Sequence, residues 1–250
     1  MQQYGSAFAR LYNELWNNFS NIYAPVIHNE LGEVVDKTLL DLCCGTGNLC
    51  VYFLKQGYQV IGLDLSKDML SYATSKGQSF VTSGRFTTIC CNAKNFTLTE
   101  RFSVATSLYD GINHLNDEEE LQSCFKSVFN VLREGGVFIF DLNTTRGLRS
   151  WNFDRVRELE NAVIIQRGMF IEEKKKAYME ILGFTDTGEG KYERFKEVIT
   201  NTSFSIQNVK EHLKSAGFTD VSVRKANKEL EIAPEPEMEK RVFFKAYKSV

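Results

Sequence analysis

The run Leu39-Leu40-Asp41-Leu42-Cys43-Cys44-Gly45-Thr46-Gly47-Asn48 sets the narrowest limit on how this chain can fold. A short apolar strand, Thr38–Cys43, runs into a glycine turn. A helix over Asn48–Gln56 follows at once, with Leu49, Tyr52 and Phe53 on one face and Gly57 where a C-terminal glycine belongs. Gly45 and Gly47 tolerate positive φ and let a ligand approach bare backbone, and the free N–H groups of the helix start favour an electron-rich ligand. The next apolar strand, Gln59–Leu63, ends at Asp64. An acidic residue roughly 20 positions beyond a glycine loop, within one βαβ unit, is placed to accept hydrogen bonds from ribose hydroxyls. The G-T-G pattern lacks the third glycine of a dinucleotide G-x-G-x-x-G fingerprint, so it fits a loop passing beside a nucleoside better than a pyrophosphate cradle.

The same rhythm continues. Ser66 can cap the following helix, with Asp68 in its first turn. Phe86–Cys91 and Phe102–Tyr109 read as strands. Asn116 or Asp117 opens a helix striped by Leu121, Phe125, Val128 and Leu132, and Gly135-Gly136 breaks into the strand Val137–Leu142. Nearly continuous apolar strands separated by helices indicate a doubly wound α/β fold with a mostly parallel sheet. Before this core, residues 6–35 read as two helices, the second spanning Asn21 through Val35, and Phe8, Leu11, Tyr12, Leu15 and Phe19 form the stripe of the first. Residues 151–204 break the rhythm. Ala162–Ile171, Lys176–Phe184 and Lys191–Thr200 read as antiparallel strands. An insertion here emerges at the ligand-binding edge of the sheet, which makes it a candidate lid. Ser205–Ser215 is then a helix ended by Gly217. Phe218–Lys225 and Val242–Lys248 form an edge hairpin, and the acidic segment Glu229–Glu239 forms a mobile loop. The expected organisation is an N-terminal helical lid (1–36), a core (37–150 and 205–250) and an antiparallel β insertion (151–204).

Composition narrows the function. The formal net charge is −2, so no basic surplus exists to neutralise the phosphates of an extended nucleic acid. No apolar stretch approaches the ~20 residues that span a bilayer, and the N-terminus lacks the basic and apolar regions of a leader, which predicts a cytoplasmic protein with no membrane partner. The six cysteines include two adjacent doublets and no C-x-x-C pair. They read as small buried hydrophobes in a reducing compartment, not as a metal site.

With these features in place, the chain resembles the Rossmann-like class of S-adenosylmethionine-dependent methyltransferases. Asp41 through Gly47 fits the first motif of that class, an acidic residue followed after three positions by G-x-G, with Cys43 in place of the usual first glycine. The resemblance implies a seven-stranded sheet. It places Asp41, Cys43, Gly45, Thr46 and Gly47 at the methionine part of the cofactor, Asp64 at the ribose, and Leu65 and Met69 near the adenine. Asn92 and Ala93 stand where the class carries an adenine-binding Asp. Leu108-Tyr109-Asp110-Gly111-Ile112-Asn113-His114-Leu115 looks like the D-x-x-N-Y/H-L segment of a bacterial small-molecule branch. Phe140-Asp141-Leu142-Asn143-Thr144 suits the same branch, and Tyr4-Gly5…Phe8-Ala9…Tyr12 resembles its Y-x-x-F-A-x-x-Y-D lid, with Asn13 for the final Asp.

The expected activity is transfer of a methyl group from S-adenosylmethionine to the N or O of a small molecule. His114 is the candidate base, Asp110 its orienter or a partner of the cofactor amine. Tyr4, Tyr12 and Tyr109 are candidate aromatic faces for the sulfonium, and Leu108 joins the cofactor set. The competing readings are a methyltransferase acting on tRNA or protein, a non-catalytic cofactor-binding subunit, and a dehydrogenase. The sequence leaves the acceptor open and is compatible with a homodimer.

Overall fold

A computed structural model describes residues 4–16 and 18–249, so residues 1–3 and 17 of the expected N-terminal lid and residue 250 of the core lie outside the described residues. Two N-terminal helices form, α1 (Ser6–Leu15) and α2 (Asn18–Leu31). The second ends sooner than Val35 because Gly32 turns left-handed at φ 62° and Val35 stands fully in solvent. It also starts before Asn21, which lengthens the packed face.

The alternating segment follows as expected: β1 (Thr38–Leu42), α3 (Asn48–Lys55), β2 (Gln59–Asp64), α4 (Lys67–Lys76), β3 (Phe86–Cys90), β4 (Phe102–Ser107), α6 (Glu118–Val131) and β5 (Leu132–Asn143), with the short α5 (Gln78–Thr82) after α4. Ser66 caps α4 by accepting from Met69 N at 3.2 Å, and Asp117 caps α6 by accepting from Glu120 N at 2.9 Å. After the short α7 (Thr145–Arg149) comes the antiparallel sheet of β6 (Phe153–Leu159), β7 (Ala162–Ile171), β8 (Lys176–Gly188) and β9 (Lys191–Thr202). The chain returns through α8 (Ile206–Ala216), β10 (Phe218–Lys225) and β11 (Arg241–Lys248).

The main sheet has seven strands in the order β10-β11-β5-β4-β1-β2-β3. All its pairings are parallel except β10 with β11 and β11 with β5. The two-residue period of each strand sends alternate residues to opposite faces. Leu40, Ala105, Phe138 and Phe140 pack against α6 and α8 through Leu121, Phe125, Val209 and Leu213. Leu39, Val104, Val137 and Ile139 pack against α2 and α3 through Ala24, Ile27, Leu49 and Phe53. Adjacent Cys43 and Cys44 join opposite layers, and all six cysteines are free thiols.

The last two strands form the expected antiparallel pair at one edge of the sheet, with β10 outermost and β11 between it and β5. Val242, Phe243, Phe244 and Ala246 are buried on both faces, a pattern that suits an internal strand. The segment Glu229–Glu239 is tied to the core instead of hanging free. Leu230 is buried, Lys225 N donates to Glu231 O at 2.7 Å, and Glu237 Oε1 accepts from Ile206 N at 2.8 Å. The insertion has a fourth strand, β6, which its alternating charges concealed. Among the described residues, no helix is long and apolar enough to cross a membrane.

Asn113 joins the two sheets. It is fully buried, its Nδ2 donates to Asn143 O at 3.1 Å and Thr202 O at 2.9 Å, and its Oδ1 accepts from Asn143 N at 2.8 Å. Removing the amide strands three buried backbone groups, each costing ~1–3 kcal/mol. Asn113→Ala is therefore expected to lower unfolding stability by about 2–4 kcal/mol in urea titration; a loss below about 1 kcal/mol would contradict this linkage.

Candidate active site

The parallel strands end at one rim, and two turns there are each held by a buried carboxylate. The first is the glycine loop after β1. Cys43 is left-handed at φ 54°, as are Gly45 at 54° and Gly47 at 75°. Cys44 O accepts from Gly47 N at 3.0 Å, which closes the turn. Asp64, at the end of β2, spans this loop and the next turn: Oδ2 accepts from Gly45 N and Oδ1 from Ser66 N, both at 2.9 Å. Burial raises its pKa, while the two amides work against the rise. Close packing explains the glycines. A Cβ on Gly47 would stand 2.7 Å from Ala73 Cβ, whereas one on Gly45 would meet only the Tyr12 ring at 3.7 Å.

Asp41 lies behind this loop and does not line the cavity. Its Oδ1 accepts from Thr106 Oγ1 at 2.8 Å and its Oδ2 from Cys50 Sγ at 3.3 Å. Burial pushes its pKa up to about 7. Thr46 and Gly47 also face away: Thr46 Oγ1 accepts from Lys76 Nζ at 3.1 Å. Asn92 and Ala93 stand off the cavity as well. Asn92 Oδ1 accepts from Lys94 N at 3.0 Å, and Ala93 packs into the core.

The second turn follows β4. Tyr109 and Asp110 are both left-handed, at φ 63° and 57°, a conformation that costs ~1–3 kcal/mol per non-glycine residue. Asp141 on β5 offsets that cost. Its Oδ1 accepts from Tyr109 N at 2.5 Å and its Oδ2 from Asp110 N at 3.1 Å. The Arg241 guanidinium bonds the same Asp141 oxygen and reaches Asp110 Oδ1 at 2.8 Å. Asp110 is thus committed to Arg241, and it acts on His114 only through space. Burial holds the Asp141 carboxyl up at about 6, against the pull of Arg241. The guanidinium also lies over Phe19 at 4.8 Å and Tyr109 at 5.5 Å.

A single 3-10 turn, Gly111–His114, follows. His114 Nε2 meets Tyr4 Oη at 3.4 Å, and the backbone of Thr200 on β9 hydrogen-bonds the ring. Burial lowers the imidazole pKa, opposed by Asp110 and Asp64, so the ring is neutral near pH 7. Burial also keeps the Tyr4 and Tyr12 phenols protonated.

These turns open on a cavity of about 330 Å³. Of the expected site residues, Tyr4, Tyr12, Cys43, Gly45, Asp64, Leu65, Met69, Leu108, Tyr109, Asp110 and His114 line it together. Helix α1 closes one side: Ser66 Oγ donates to Tyr4 O at 2.8 Å, and Gly5 N donates to Glu197 Oε1 on β9 at 3.1 Å. The antiparallel sheet supplies a wall that sequence reasoning missed, with Phe153, Arg155, Arg157, Gln166, Met179, Ile181 and Ile199 facing inward. Trp16, Trp151 and Arg241 were missed too. Arg241 left one signal, a cation opening an otherwise apolar strand.

Residues 39–136 match the sequence profile of a methyltransferase domain. A protein of Geobacillus sp. (strain WCH70), named at the level of methyltransferase, is 29% identical over 97% of this chain and 98% of its own. A Streptomyces venezuelae dTDP-3-amino-3,4,6-trideoxy-alpha-D-glucopyranose N,N-dimethyltransferase is 30% identical over 42% of this chain and 41% of its own. The crystal structure of an S-adenosylmethionine-dependent methyltransferase from Clostridium acetobutylicum ATCC 824 superposes with a TM-score of 0.84 at 25% identity, covering 98% of each chain. In sequence and in fold, the chain is similar over nearly its whole length to Rossmann-like S-adenosylmethionine-dependent methyltransferases.

Asp41 gives the site a pH signature. Its pKa rises from an ordinary 3.8 to about 7 on folding. The native carboxyl therefore holds its proton over a window where the unfolded one has lost it. The stability this contributes is complete below the unfolded value and is lost as pH rises through the folded one. Asp41→Asn removes the titration. Between pH 5 and 8 the wild-type chain should lose stability relative to this variant, by at most about 1.4 kcal/mol per pH unit. Thermal unfolding of both proteins across that range checks it; a pH-independent difference would contradict it.

Proposed function

We propose that this methyltransferase carries the methyl group to a nitrogen or oxygen of a small molecule held between the β4 turn and the antiparallel sheet. The observation that carries the reading is the meeting of Asp64, Gly45 and His114 on one cavity. The rim fits the cofactor. A Cβ on Gly45 would intrude into the space before Tyr12, so bare backbone is available to an amino-acid tail. Asp64 accepts from the amides of Gly45, Ser66 and Leu65, which leaves part of its lone-pair capacity for a ribose hydroxyl. Leu65 and Met69 would pack on the adenine, and Cys43 would border the tail. Asp41, Thr46 and Gly47 support the loop from behind.

When bound, S-adenosylmethionine supplies an activated methyl carbon that the acceptor's lone pair displaces in line from sulfur. The chain's part is to position the acceptor, exclude water and accept a proton. Orienting two reactants in this way can supply up to ~7–11 kcal/mol of barrier. The faces of Tyr4, Tyr12 and Tyr109 tolerate a cation for about 0.5–2 kcal/mol each. His114 is neutral, with Nε2 directed at Tyr4, and takes the proton that an ammonium or hydroxyl acceptor must lose. Helix α1 and the antiparallel sheet serve as the lid. A cavity enclosed on these sides, with a net charge of −2 on the chain, favours a small acceptor over a polymer. The Streptomyces venezuelae relative is named for an amine, which supports nitrogen as the acceptor atom.

Transfer of labelled methyl from S-adenosylmethionine to a library of small amines and alcohols tests the reading. Turnover is expected with the wild-type chain. Asp64→Ala should raise KM for the methyl donor about tenfold or more, and His114→Ala should lower kcat about 100-fold with that KM unchanged. Wild-type kinetics in both variants would overturn the assignment.

A further inference from the structure

Strand β6 reads Phe153-Asp154-Arg155-Val156-Arg157-Glu158-Leu159, and its inward face carries two cations between two apolar residues. Phe153, Arg155 and Arg157 face the cavity, while Val156 is 60% exposed on the outer face. The register fixes this arrangement. Arg155 lies opposite Gln166 and Arg157 opposite Ile164, and Gln166 lies opposite Ile181, another cavity residue. An alternating strand over an enclosed site would ordinarily turn its valine inward and its arginines to water.

The charges of the two faces are also treated differently. On the outer face Arg167 and Lys196 both reach Glu180, at 3.3 and 2.5 Å. On the inner face, among the described residues, neither Arg155 nor Arg157 has a carboxylate partner. Arg241, the third guanidinium at the cavity, is taken up by Asp110 and Asp141. Asp64, the remaining acid there, holds backbone amides. Arg155 is exposed at the cavity mouth with its guanidinium over the Phe153 ring at 5.2 Å, Arg157 is half-buried, and the wall around them is made by Phe153, Gln166, Met179, Ile181 and Ile199.

Residues two apart on a strand have Cα atoms roughly 7 Å apart on the same face. Each guanidinium offers a planar fork that matches two oxygens of one anionic group. Two unmatched forks beside apolar side chains call for a compact group with two negative charges. A phosphoryl or diphosphoryl group supplies that, and a single carboxylate does not.

We propose that this wall docks the methyl acceptor, and that the acceptor is a small molecule carrying a phosphoryl or diphosphoryl group bound by Arg155 and Arg157. Its nucleophilic atom then reaches toward the turn that bears His114. The proposal rests on the methyl-transfer reading for what the acceptor does, and on the unmatched arginines for what it carries.

Calorimetric titration of inorganic pyrophosphate, and separately of acetate, into the chain saturated with S-adenosylhomocysteine tests it. Pyrophosphate should bind about tenfold or more tighter than acetate, and Arg155→Gln/Arg157→Gln should weaken it about tenfold or more. The double variant should bind S-adenosylhomocysteine as the wild type does, which shows that it is folded. No pyrophosphate binding, binding unchanged in the variant, or acetate binding of equal strength would overturn the proposal. Failure of S-adenosylhomocysteine to bind would instead remove the methyl-donor geometry, and pyrophosphate titration of the free chain would still decide the arginine site.

Discussion

The carboxylate of Asp64 accepts hydrogen bonds from the backbone of two different turns, Gly45 N and Ser66 N, each at 2.9 Å. Much of the site depends on this bridge. A buried carboxylate is costly unless hydrogen-bonded, and bonds to an ionised acceptor are roughly twice as strong as neutral ones. The bridge therefore fixes the glycine loop against the start of α4 and leaves a charge at the cavity surface. Asp141 does the same for the second turn, where it holds the left-handed Tyr109 and Asp110 through their amides and keeps Arg241 beside them. Two acids at the carboxyl ends of parallel strands thus hold two turns, and the cavity lies at the rim where such sheets bind ligands.

Charge at the cavity is divided by origin. The seven-stranded sheet contributes acids whose lone pairs are already partly occupied by backbone, and one cation, Arg241, that Asp110 and Asp141 neutralise. The antiparallel sheet contributes guanidiniums without carboxylate partners among the described residues. His114 stands between, on a turn that Asn113 ties to both sheets. Its neutrality comes from burial, against the pull of Asp110 and Asp64. The fold thereby joins the rim of the parallel sheet, the proposed nucleoside site, to a separately built wall, and the imidazole lies at their junction.

The parallel core was legible because its signals are local. Apolar strands end at glycine turns, Ser66 and Asp117 cap the next helices, and the helix stripes recur at helical spacing. The glycine loop and Asp64 were placed correctly beside one another for the same reason. What escaped depends on long-range pairing. Strand β6 hides because charged residues fall on both of its faces, and its place is set only by its register with β7. Arg241 enters the site through a strand pairing 100 residues away from Asp141. The family resemblance implies a ligand contact for Asp41, whereas the pleat turns its carboxylate toward Thr106 on β4, behind the loop. Asn92 sits at the expected strand end, but a local turn to Lys94 N takes its carbonyl.

The most direct test of the account is the amide spectrum of the chain titrated with S-adenosylhomocysteine. If Asp64 couples the glycine loop to a bound nucleoside, the Gly45 and Ser66 amide resonances should shift together and saturate with the ligand, because the oxygens they donate to gain new partners. Saturation of the ligand site with both resonances unmoved would contradict it.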